Sequence, residues 1–161
     1  NNVEGTSYLL GLLIISNGLA SIVSSPSWGK LADKSSKNTM AYAVTIASLC
    51  GIVLVILVSF SASLKTQLWL YPLAFFILGI AHSGVRQGRK TYVLDMAKGN
   101  ERTNYVSVSN TIIGIILLFT GGLSAALSLI SVEVVIVVLS ILGFWGAIKS
   151  YRLPNVEKEN G

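Results

Sequence analysis

The sequence predicts an all-α, polytopic transmembrane helix bundle with five spans. Three observations carry that prediction. The 161 residues are 52% hydrophobic and only 12% charged, against ~25% charged in a typical soluble domain, and the mean hydropathy is +0.68. The charges are bunched, with long uncharged stretches between them. Nearly all the basic residues fall in alternate segments between those stretches. Disorder is excluded by the apolar content, and an ordinary water-soluble domain is not expected, because a 17.2 kDa globule cannot hide this much apolar surface. A β-barrel is excluded too, since the apolar segments are continuous and not alternating.

A helix crossing about 30 Å of hydrocarbon needs about 20 apolar residues. The 25 uncharged residues between Glu4 and Lys30 hold the first span, at about residues 6–27, with Pro26 near its end where a kink or stop is tolerated. The 27 between Lys37 and Lys65 hold the second, at about 39–62. The 20 between Lys65 and Arg86 hold the third, which starts near Gln67 and covers about 67–94. In the 46 residues from Thr103 to Ile148 the only charge is Glu133, so two spans fit, at about 104–126 and 131–150, with a turn near Ser128 to Glu133. The last span has 15 uncharged residues before Lys149. Snorkelling of Lys149, with Trp145 and Tyr151 near the boundary, extends it. Trp28, Trp69 and Trp145 all fall near span ends, as interfacial anchors do. Asn100 or Thr103 is placed to cap the fourth helix, with Glu101 in its first turn. The bundle then occupies residues 1–153, and residues 154–161 form a polar, solvated cytoplasmic tail.

In this arrangement Lys30, Lys34, Lys37, Arg86, Arg89, Lys90, Lys98, Arg102, Lys149, Arg152 and Lys158 lie on one face, 11 of the 12 basic residues. Lys65 lies on the other, with Glu4 and Glu133. The positive-inside rule therefore puts the N-terminus outside and the C-terminus in the cytoplasm, across an inner or plasma membrane. The net charge of +5 is explained by topology, and no nucleic-acid partner is expected. Cys50 is the single cysteine and His82 the single histidine, so no disulfide, zinc site or multi-histidine centre is expected, and no cofactor. A membrane-embedded enzyme would need acidic or histidine side chains clustered at one depth, and none are.

Composition sorts the spans. The second and fifth are almost wholly aliphatic, whereas the first, third and fourth carry Ser16, Asn17, Ser21, Ser24, Ser25, His82, Ser83, Ser109, Asn110, Thr111 and Thr120. Polar groups are costly in hydrocarbon, so the first, third and fourth spans are expected to form an inner layer with the other two toward lipid. Small hydroxyl residues also serve close helix packing. The amides of Asn17 and Asn110 are larger and need partners, which makes them candidate cavity or substrate contacts. His82 is either a protonatable coupling residue or a packing histidine.

The most specific local signal is Gly29-Lys30-Leu31-Ala32-Asp33-Lys34-Ser35-Ser36-Lys37-Asn38, between the first two spans. Gly29 permits a tight turn, and Asp33 is suited to a helix N-terminus or a basic partner. This resembles the major facilitator superfamily loop motif, glycine-x-leucine-alanine-aspartate-basic-x-glycine-basic-basic. Gly29, Leu31, Ala32, Asp33, Lys34 and Lys37 match it, while Ser36 and Asn38 depart. Gly79-Ile80-Ala81-His82-Ser83-Gly84-Val85-Arg86, with Arg89, Tyr92, Asp95 and Arg102 following, is similar to the family's tenth helix and the loop after it. The resemblance implies helices eight to twelve of a twelve-helix transporter of a small solute, working by alternating access with or without a coupling proton or ion. It also implies a missing N-terminal half as partner, alongside the lipid bilayer. The opening Asn-Asn-Val, with no Met, agrees with a piece of a longer chain.

Arg86 lies about 12 Å before the end of the third span, eight residues at 1.5 Å each. Arg86 and Arg89 are expected to meet Asp33, Asp95 or a carboxylate of the other half in a cytoplasmic gate with Gly29, Lys34, Lys37 and Arg102. If the helix stops near Arg86, they are interfacial anchors instead. A different class of function is a non-transporting scaffold or receptor that keeps the fold.

Overall fold

A computed structural model describes residues 2–60, 69–97 and 101–157, with side chains from Tyr8 onward. Lys65, Lys98, Asn100 and Lys158, which figured in the topology and capping expectations, lie outside the described residues. Among the described residues five helices follow one another: α1 (Asn2–Lys34), α2 (Ser36–Phe60), α3 (Leu70–Met96), α4 (Arg102–Ser128) and α5 (Val132–Tyr151). Four of them are long and apolar enough to cross a membrane; α3, with its polar and charged C-terminal third, falls short on the same measure.

The expected loop between the first two spans is a one-residue corner. α1 runs through Pro26 to Lys34, and only Ser35 separates it from α2. Ser35 N donates to Leu31 O at 2.9 Å, and Thr39 N donates to Ser35 O at 3.0 Å, so the helical ladders almost abut. Lys30, Leu31 and Ala32 are strong helix formers, and nothing after Gly29 breaks the pattern. Pro26 removes one ladder donor but does not stop the helix. Just before it, the hydroxyls of Ser24 and Ser25 bond the carbonyls of Ala20 and Ser21, each at 2.6 Å. Gly29 is not a turn residue: a side chain there would meet open space.

The packing agrees with the compositional sorting in joining α1 to α3 and departs from it at α2 and α4. α3 stands centrally, in extensive contact with α1 and α2, and α2 in turn packs broadly on α5. Small residues set these close approaches. A Cβ on Gly79 of α3 would lie 2.6 Å from Asn17 Oδ1 and 2.9 Å from Ala20 Cβ of α1. A Cβ on Gly84 would lie 2.7 Å from Ala43 Cβ, and one on Gly88 2.8 Å from the Ser36 carbonyl, so α2 lies on this glycine pair one turn apart. α2 and α5 interlock reciprocally: Ser140 fills the space over Gly51, and Ser48 fills the space over Gly143. α4 touches α3 and α5 only lightly, and none of its residues is buried. The first, third and fourth helices are therefore not one packed layer. The residues that allow close contact in the aliphatic helices are their few Gly, Ala and Ser, whereas Gly114, Gly121 and Gly122 of α4 meet no neighbour.

The termini add two further corrections. Thr103 lies inside α4, whose N-cap is Glu101, and no side-chain cap bond is made there. At α5, Ser131 Oγ accepts from Val134 N at 3.1 Å, with Glu133 in the first turn facing the helix dipole. Trp28 is not an interfacial anchor: it is buried, and its Nε1 donates to the Ile80 carbonyl at 2.9 Å. Trp69 and Trp145 are exposed, and Lys149 Nζ sits 5.4 Å from the Trp145 ring centre.

Candidate functional site

Because the helices alternate in direction, the α1–α2 corner, the C-terminus of α3, the N-terminus of α4 and the C-terminus of α5 gather at one end of the bundle. That end carries most of the described basic residues. Its organising contact is one the sequence did not suggest. The first backbone N–H of a helix has no partner within the helix. At α2 that donor, Ser36 N, is taken by Glu157 Oε1 at 2.5 Å, and Ser36 Oγ donates to the same oxygen at 2.6 Å. Lys37 Nζ donates to the Leu153 carbonyl at 2.9 Å, and Val156 is buried. The described part of the tail, 154–157, expected to be solvated, is thus folded back onto the corner. Burial pushes the Glu157 carboxyl up, but the bonds from Ser36 and the charge of Lys37 outweigh it and hold the group below its ordinary value. A polar cavity of about 430 Å³ lies between corner and tail, lined by Lys34, Lys37, Asn38, Tyr151, Asn155 and Glu157.

Asp95 belongs to this end. Its charged neighbours, in order of influence, are Glu157, Arg102 and Asp33. Asp33 and Lys34 are exposed in the last turn of α1. Lys34, Lys37, Asp33, Asp95 and Arg102 are therefore brought together, with Glu157 added.

Arg86 and Arg89 are not in this group. Among the described residues neither forms an ion pair. Arg86 and Asp95 are nine residues apart, about 180° around the helix, so they point to opposite sides of α3. Arg86 and Arg89 instead line a cavity of about 250 Å³ between α3 and α4 with Lys90, Ser109 and Asn110. His82 is exposed and lines a different space, an apolar groove of about 550 Å³ bounded by α2, α3 and α5. Asn17 lies on Gly79 at the α1–α3 contact, away from Asn110. The three candidate cavity residues thus fall in three places. Lys90 and Glu157 are the residues missed as site members. A carboxylate in a polar tail carries no local signal of the helix N-terminus it will meet.

A family model described as Major Facilitator Superfamily matches residues 3–161. No curated protein and no solved structure matches the chain.

Proposed function

Because the chain belongs to the major facilitator superfamily, we propose that it forms part of a secondary active transporter moving a small solute by alternating access. Such a mechanism needs helical units that rock without internal repacking. The glycine- and serine-mediated contacts of α1, α2, α3 and α5 supply that rigidity in this reading. The observation that carries it is the interlocked basic end, where corner, α3 terminus and tail are tied together by Glu157, Ser36 and Lys37. Charges held in fixed positions there are suited to make and break pairs with a moving partner.

The partner in this reading is an N-terminal helical half, and the gate is Asp33, Lys34, Lys37, Asp95 and Arg102 facing it. Arg86 and Arg89, deeper along α3, act on what passes between the halves. A coupling proton or ion acts through a carboxylate outside this chain, since no Asp or Glu lies within the interior of the five predicted spans. The activity is binding and movement, without covalent chemistry. The basic end faces the cytoplasm of an inner or plasma membrane.

Transport by the full-length protein tests this reading. Arg86→Ala is expected to impair solute movement with membrane expression unchanged; normal transport in that variant removes Arg86 from the mechanism. Reporter fusions at Ser35 and at Lys65 are expected on opposite sides of the membrane. The same side for both defeats the five-span topology.

A further inference from the structure

Three cations, Arg86, Arg89 and Lys90, lie within about one turn of α3 and line one cavity against α4. No carboxylate is among the lining residues, and none of the three makes an ion pair among the described residues. Positions three and four apart share a helix face, and like charges there repel. An intramembrane arginine ordinarily turns to a counter-charge. Asp95, the acidic residue of α3, is on the opposite side of the helix from Arg86, where Arg102 is its cationic neighbour and Glu157 and Asp33 are like charges nearby. Among the described residues the charge of the cavity is uncompensated.

From this geometry we propose that the α3–α4 cavity binds a phosphate-like anion. Its solute arm rests on the transporter reading. The chemistry follows from the lining. Two guanidinium groups and one ammonium favour an anion with more than one negative charge and several oxygens to share among them. The Asn110 amide and the Ser109 hydroxyl add neutral donors on the α4 side, and Val93 and Val106 complete the lining. About 250 Å³ accommodates a phosphoryl group and leaves room for the first atoms of what it is attached to. Basic cavities between transmembrane helices hold lipid headgroups by the same chemistry. The anion is carried by a solute or by a lipid.

The test uses the full-length protein in nanodiscs and reads thermal unfolding. In phosphatidylcholine nanodiscs, a rise in the unfolding midpoint with inorganic phosphate but not with chloride identifies a solute anion. A rise found only when phosphatidic acid replaces part of the phosphatidylcholine identifies a lipid headgroup. In either case Arg86→Gln with Lys90→Gln is expected to weaken the response by about tenfold or more. No response to either anion overturns the site, as does an undiminished response in the monodisperse double variant. If that variant does not fold, Asn110→Asp places a carboxylate in the cavity and is expected to abolish the response; its persistence has the same overturning force. Binding is read without turnover. A protein that binds the anion here yet moves no solute defeats the transporter reading and leaves the site, whereas transport without an anion response defeats the site alone.

Discussion

Replacing Glu157 with Ala removes the acceptor of two hydrogen bonds at the start of α2. Ser36 is fully buried, so its N–H and hydroxyl lose their partner in a place that water reaches poorly. A hydrogen bond to a charged group contributes about 1.5–3 kcal/mol net, and loss of an N-terminal cap costs about 0.5–2 kcal/mol. Both bonds go to one oxygen of a half-buried carboxylate that water partly solvates in the undocked state, so the sum is taken near the low end, at about 2 kcal/mol. At about 1.36 kcal/mol per tenfold, opening of the tail from the corner becomes about 30-fold more frequent. Hydrogen exchange read on a peptide covering Ser36 to Met40 should accelerate by that factor, while peptides from the middle of α5 stay unchanged. Glu157→Gln, which keeps an acceptor but loses the charge, should fall between. Unchanged exchange at Ser36 in the alanine variant refutes the argument that the tail carboxylate closes this helix end.

The same contact predicts a pH dependence. Because the folded-state pKa of Glu157 is lowered from 4.5, docking is fully stabilised above that ordinary value and is lost as pH falls through the lowered one. Exchange at Ser36, corrected for intrinsic rate, should be flat from neutral pH down to about 5 and rise in more acidic solution. Gly143→Val forces a side chain into Ser48 at the α2–α5 contact and should destabilise by about 1–3 kcal/mol, seen as a lower unfolding midpoint in detergent. Gly114→Val, where nothing lies within 4 Å, should leave the midpoint unchanged. Trp28→Phe removes the indole bond to the Ile80 carbonyl and should cost about 1 kcal/mol, read in the same assay; no shift would mean that this buried bond is replaced by another partner.

Some of the site was legible in the residues and some was not. The motif around Asp33 and the cations of the third span were found because charge is rare in this chain and any cluster of it stands out. Their grouping was not found. Arg86 and Asp95 both lie on α3, and its rotation, together with about 13.5 Å of rise between them, separates them, one toward α4 and the other toward Glu157. The sorting of spans by polarity did not foresee the packing of α2 or the looseness of α4, for a related reason. An aliphatic helix still packs tightly when two or three small residues fall on one line, as Ser48 and Gly51 do against Gly143 and Ser140. A helix richer in hydroxyls, such as α4, packs little when its small residues face no neighbour.

The sequence by itself determined that the chain is an all-helical membrane bundle and that its positive charge collects at one end. Apolar length and charge spacing are properties of single segments, and the cost of putting charge in hydrocarbon acts on each segment independently. The tertiary structure alone decided that α3 is the central helix, that α1 and α2 meet at one residue, that Arg86, Arg89 and Lys90 share a cavity with Asn110, and that Glu157 closes α2. Those outcomes depend on which faces meet and on a hydrogen bond between residues 121 positions apart, and no local pattern specifies a pairing of that range.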